Sequence, residues 1–155
     1  MICGLEHFAL SVSDIKRSLR FYKDFIGMKV ILEVDFFDDR IGRITGMIGA
    51  KCRVVHLKLG NAILELFQYY RPLGKKIPSD YRQCDHGFTH IGFRVTDIHK
   101  HIEQLKKGGI ELLGEPVEIR PGTWVVYFRG PDGEVCEFRQ EKDGIVIPEE
   151  QLKNR

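Results

Sequence analysis

Two stretches of this chain are near copies of one another. LEHFALSVSDI occupies residues 5–15 and FTHIGFRVTDI residues 88–98. Each has a His, then alternating apolar residues, then an Asp seven positions after the His. Alternation is the signature of a strand with one buried face, and an Asp ahead of a helical pattern is an N-cap. A repeated strand-and-cap unit predicts two modules, each of which must bury an apolar strand face under a helix.

The rest of each half supports this reading. After Asp14, IKRSLRFYKDFIG puts Ile15, Leu19, Tyr22 and Ile26 on one helical face, and Gly27 ends it. MKVILEVDFF then reads as a strand, followed by a Gly-punctuated stretch. KCRVVHLKLG and NAILELFQYY form a hairpin around Gly60-Asn61. After Asp97, IHKHIEQLKKGG places Ile98, Ile102 and Leu105 on one face. IELLGEPVEI follows, then TWVVYFRG and EVCEFRQ joined by PDG. Both halves thus read strand, helix, strand, strand, strand, an α+β pattern of two tandem βαβββ modules. VVHLKLGNAILELFQ aligns with VVYFRGPDGEVCEFRQ with one extra residue in the second turn. The modules cover about 5–68 and 89–140 within one domain spanning 1–155. A connector, 69–88, carries Pro72, Gly74, Pro78 and Gly87. A connector of that length reads as a lid or binding segment. The polar tail after Glu141 reads as a frayed end or a docking arm.

Composition narrows the function classes. With 24 basic and 22 acidic residues the formal net charge is +2, and the cations are dispersed among acids. No nucleic-acid partner is expected. No run of apolar residues is long enough for a membrane span, and the N-terminus has no secretory pattern. None of the four cysteines, Cys3, Cys52, Cys84 and Cys136, forms a C-x-x-C pair. A reduced, cytoplasmic protein is expected.

Strand parity gives the candidate site. Phe8, Leu10 and Val12 share one face and face the helix layer, so His7, Ala9 and Ser11 face away from it. His90, Gly92 and Arg94 do the same in the second copy. In AILELFQ, Leu64 and Leu66 flank Glu65; in EVCEFRQ, Cys136 and Phe138 flank Glu137. Each module therefore presents one His and one Glu on its non-helix face. Two imidazoles and two carboxylates are ligands for a divalent cation, with the carboxylates balancing its charge. Zinc, nickel, cobalt and manganese all suit the set: His7, Glu65, His90 and Glu137. Parity also puts Arg94 and Arg139 on that face, as candidate anchors for an anionic substrate group. Phe67 is a candidate apolar wall, beside Ile63 and Val135. His56, alternating with Val55 and Leu57, is a candidate substrate or acid-base group. Trp124 and Tyr127 read as core or wall, His99 and His101 as exposed, and Cys136 as packed under the helix layer.

The duplicated pattern, with HFALSVSDIKRSLRFYKDFIGMKV and FRGPDGEVCEFRQ, resembles the vicinal oxygen chelate superfamily. That family includes glyoxalase I, methylmalonyl-CoA epimerase, extradiol dioxygenases, fosfomycin-resistance enzymes and bleomycin-binding proteins. The resemblance covers roughly residues 5–140. It implies that the modules form a curved, barrel-like mixed sheet with the helices outside, and that the protein is a homodimer acting on a small molecule. His7, Glu65, His90 and Glu137 match the His-Glu-His-Glu set of glyoxalase I. This implies a metal-dependent lyase or isomerase that moves a proton beside a metal-bound carbonyl, with Glu137 as the base and Glu65 as the second catalytic carboxylate. An epimerase, a ring-cleaving dioxygenase and a metal-free binding protein are the alternatives the same fold offers. Ser11 stands where glutathione-using bacterial members usually carry Arg, a departure from their pattern that leaves the co-substrate open.

Overall fold

A computed structural model of the chain describes residues 1–142; the tail beyond them lies outside the described residues. Two compact units are present, Met1–Pro78 and a second from Ser79 onward. Each is one βαβββ module.

In the first unit, β1 (Phe8–Ser11) leads to α1 (Ile15–Leu19), then β2 (Lys29–Phe36), α2 (Arg40–Thr45), β3 (Lys51–Leu59) and β4 (Ala62–Arg71). The strands form one open mixed sheet in the order β1-β4-β3-β2. β1 runs parallel to β4, and the other neighbours are antiparallel. In the second unit, β5 (Ile91–Arg94), α3 (Ile98–Lys107), β6 (Val117–Arg120), β7 (Thr123–Arg129) and β8 (Val135–Glu141) repeat the plan in the order β5-β8-β7-β6. Parallel β5–β8 pairing again closes the strand-helix crossover.

The same device seats both helices. Asp14 accepts from the backbone N–H of Lys16 and Arg17, and Asp97 from that of Lys100. Gln68 and Gln140, each three residues beyond a candidate Glu, accept from the first helical N–H: Ile15 N at 2.9 Å and Ile98 N at 2.8 Å. A helix start has orphan N–H groups, and a glutamine on the last strand satisfies one of them. The glutamines also fix the geometry. Since Gln68 and Gln140 reach their helices, Glu65 and Glu137, of opposite parity, lie on the other face of each sheet. Below the helices lie Val55, Leu57, Leu64 and Leu66 in one unit, and Val126, Phe128, Cys136 and Phe138 in the other, all buried. Burying Ile98, Ile102 and Leu105 of α3 contributes on the order of 5 kcal/mol.

Asp14 carries a consequence for acid stability. The backbone N–H of Arg17, helped by that of Lys16, holds its carboxyl below the usual aspartate value. The stability it contributes is present above the unfolded-state value of about 3.9 and is lost as pH falls through the lower folded value. Asp14→Asn keeps the cap acceptor but cannot titrate. Thermal melts between pH 2 and 5 are expected to show a shallower acid-side decline in this variant than in the wild type.

Four local features depart from the sequence reading. The first helix is α-helical only to Leu19 and continues as a π-helical turn over Arg20–Phe25, with Ile26 N–H bonding to Phe21 O. The wider turn buries Phe21 and Tyr22 side by side, in place of a strict stripe through Leu19 and Ile26. The Gly-punctuated stretch contains α2, whose Ile41 packs on Ala50, Cys52 and Val54 with Phe67 and Tyr69 around them. Gly42 is required there, because a Cβ would stand 2.9 Å from Met47 O. IELLGEPVEI is a strand only over its end, β6, preceded by a single bridge from Leu112 to Phe128. His101 is half-buried: its Nδ1 lies 2.7 Å from Asp97 O and its ring meets Phe138 edge-on. Among the described residues no helix is long and apolar enough to cross a membrane, and no disulfide joins the cysteines.

Candidate metal centre

Each module carries one polar row of candidate ligands. In the first, Glu65 sits on β4 between its two sheet neighbours. His56 faces it on β3, and His7 immediately precedes β1 on the other side. His7 Nε2 is 3.1 Å from Glu65 Oε2, and His56 Nε2 is 2.5 Å from Glu65 Oε1. In the second row, Glu137 sits on β8, Tyr127 faces it on β7, and His90 precedes β5. His90 Nε2 is 3.0 Å from Glu137 Oε2. The Tyr127 hydroxyl bonds to Glu137, and the His90 and Tyr127 rings meet edge-on with centroids 5.0 Å apart.

The residue before each His orients it. Glu6 holds His7 through Nδ1, and Thr89 Oγ1 lies 2.8 Å from His90 Nδ1. With Nδ1 occupied, Nε2 is the nitrogen turned toward the carboxylate, the arrangement by which an outer partner fixes the ligating face of an imidazole. The contact with Glu6, followed by the charge of Glu65, raises the pKa of His7 against the lowering effect of its partial burial. Burial, then the charge and hydrogen bond of Glu137, raises that of Tyr127, so its hydroxyl stays protonated at neutral pH.

The donor types fit a divalent ion, since neutral imidazole and ionised carboxylate are ligands such an ion takes. Both Nε2–Oε2 separations are those of hydrogen-bonded ion pairs. In the first row the carboxylate oxygens go to different imidazoles, with the His7 and His56 ring centroids 6.3 Å apart. The three groups are strung along the sheet and not gathered round a point. Among the described residues no three His, Cys, Asp or Glu side chains converge as a complete ion-binding group.

The surroundings of the rows differ. On the Glu65 face the sheet continues into the stacked rings of Phe67 and Tyr69, 5.8 Å apart, under α2. Cys52 is buried there and its pKa is raised by desolvation, which keeps it a thiol. On the Glu137 face the next residue is Arg139. Its Nε and Nη2 lie 2.9 and 2.8 Å from Glu141 Oε1, and Arg120 joins the same oxygen at 3.2 Å. Arg139 is thus committed to a buried carboxylate. Arg94, beside it in the β5–β8 register, is exposed. Sequence reasoning missed Glu6, Thr89 and the role of Tyr127. The alignment of VVH with VVY contained the signal for Tyr127, because it puts that residue in the place of His56.

Two open βαβββ sheets, each with a His–Glu pair opposite its helix, define the class. The chain belongs to the Glyoxalase/Bleomycin resistance protein/Dioxygenase superfamily, whose sequence pattern matches residues 4–138. It is 27% identical over 137 residues to a probable lactoylglutathione lyase of Synechocystis sp., covering 88% of this chain and 94% of that protein. It is 29% identical over 140 residues to the metallothiol transferase FosB of Staphylococcus epidermidis, covering 88% of this chain and 81% of that one. A solved glyoxalase family protein from Bacillus cereus superposes with a TM-score of 0.83 at 20% identity, covering 91% of this chain and 96% of that one, a likeness of fold.

Proposed function

We propose that this chain is a divalent-metal-dependent isomerase or lyase of the glyoxalase I type, transferring a proton at a carbon next to a carbonyl of a small substrate. The observation that carries the reading is the duplicated His–Glu pair, at 3.1 Å in one module and 3.0 Å in the other. His7, Glu65, His90 and Glu137 would hold the ion. When bound, such an ion polarises the substrate carbonyl and stabilises negative charge on its oxygen. The protein's own part is proton transfer. Glu137 takes the proton from the carbon and returns it to the neighbouring carbon or to the opposite face. His7 and His90, turned by Glu6 and Thr89, present Nε2. Phe67 and Tyr69 give the Glu65 side an apolar wall for a substrate side group. The name of the Synechocystis relative supports the lyase reading. Ser11, in place of an arginine, points to a substrate other than a glutathione adduct. By family likeness the enzyme works as a homodimer.

The test is metal content by mass spectrometry on untagged protein, beside the double variant His7→Ala/Glu137→Ala. Bound divalent ion in the wild type, lost in the variant, is the expected result. A wild type that neither carries an ion nor takes one up from zinc, nickel, cobalt or manganese solutions rejects the enzyme reading in favour of a metal-free binding protein. With metal present, deuterium uptake from solvent identifies an isomerase, lyase or epimerase. Oxygen consumption with a catechol identifies a dioxygenase.

A further inference from the structure

The two modules hold their carboxylates in different ways. At one and the same register position, opposite the site Glu on the neighbouring antiparallel strand, module one has His56 and module two has Tyr127. His56 Nε2 holds Glu65 Oε1 at 2.5 Å, while Oε2 lies 3.1 Å from His7 Nε2, the nitrogen that the Glu6 contact at Nδ1 leaves for the ion. An imidazole N–H points along one direction fixed by its ring, so a carboxylate oxygen held by His56 cannot turn without giving up that contact. The side chains of Glu65 and His56 are only 13% and 19% exposed, so water competes poorly for either oxygen. Glu137 has one imidazole, His90, at 3.0 Å. Its cross-strand neighbour is the Tyr127 phenol, whose O–H rotates about the C–O bond and can follow a carboxylate as it moves.

We infer that His56 is a positioning residue that holds Glu65 as a fixed metal ligand, a role for which the second module has only the rotatable phenol of Tyr127 at the matching position beside Glu137. The inference rests on the metal-site reading above and deepens it. It makes the two halves of a duplicated site unequal by one residue at one register position. His56 acts through Glu65. It holds Oε1 so that Oε2 stays aimed at the ion.

Cobalt(II) alone is the probe, titrated into the wild type, His56→Phe, His56→Asn, His56→Gln and Tyr127→Phe, with affinity from calorimetry and ligand-field absorption recorded in parallel. His56→Phe removes the donor. His56→Asn keeps polarity but falls short of Oε1, and it carries the test if the Phe variant does not fold. Both are expected to weaken cobalt binding about 10- to 100-fold, the usual cost of losing an outer-shell partner, and to shift the absorption bands. His56→Gln, which places an N–H at similar reach, is expected to restore most of the affinity and the wild-type bands. Tyr127→Phe is expected to lose less affinity than His56→Phe. His56→Phe or His56→Asn binding cobalt with wild-type affinity and spectrum overturns the inference and leaves the metal reading standing. So does an equal loss in Tyr127→Phe. A wild type that binds no cobalt overturns both.

Discussion

Glu137→Gln is expected to bind metal more weakly, fold normally, and lose about two to four decades in the rate of proton exchange, the usual worth of a positioned general base. The measurement is deuterium uptake from solvent into whichever hemithioacetal or acyl thioester the wild type turns over, made at saturating metal so that weaker binding does not enter. Glutamine keeps the size of Glu137 and an oxygen that can face the ion, but its amide cannot accept the carbon-bound proton. Glu137 is the right candidate for a local reason. Its side chain is 9% exposed, with His90 on one oxygen and a rotatable phenol as its other partner. Glu65→Gln, between two imidazoles, is expected to lower metal affinity first, with exchange recovering as metal is raised. Equal rates for Glu137→Gln and the wild type at saturating metal would reject Glu137 as the base.

The strands, the α3 stripe and both His–Glu pairs were legible because each rests on a short period or on the duplication. HFALSV and HIGFRV alternate, Ile98, Ile102 and Leu105 recur at helical spacing, and Glu65 and Glu137 fall at matching places in two copies. What escaped has specific causes. α2 is six residues long and interrupted by Gly42, too short for any period to show. The π-helical turn breaks the 3.6-residue assumption at the residues, Phe21 and Tyr22, that depend on it. Parity tells which face a side chain takes but not what it meets. Arg139 lies on the face of Glu137 as expected, and Glu141 holds it there. Tyr127 sits in the run VVYF, where an aromatic residue reads as core, and only its register opposite Glu137 reveals its polar partner. Glu6 and Thr89 do the same work with different chemistry, so a comparison of residue types between the copies passes over them.

Phe128→Ala tests the second module's core, on the face of β7 opposite Tyr127. Phe128 is 0% exposed and its ring packs against Phe138 at 4.5 Å. Phe138 in turn meets Phe93 at 6.4 Å and His101 at 5.5 Å, so truncation leaves a cavity bordered by rigid rings that close in poorly. A buried Phe→Ala change of this kind costs about 3–5 kcal/mol, a large share of the roughly 5–15 kcal/mol by which such proteins are stable. At about 2–4 °C per kcal/mol for a chain of this size, the melting temperature is expected to fall by roughly 6–20 °C, read by calorimetry in the presence of chelator. The substitution also probes how the site is held. Phe128 and Tyr127 are neighbours on one strand with opposite faces, and the backbone of Arg129 is tied to Glu111 just beyond them. If the polar row depends on a rigid β7, Phe128→Leu, which keeps most of the volume, will retain the cobalt absorption bands while Phe128→Ala broadens them. Bands unchanged in Phe128→Ala, despite the expected loss of stability, would show that the His90–Glu137 pair is held by β5 and β8 alone.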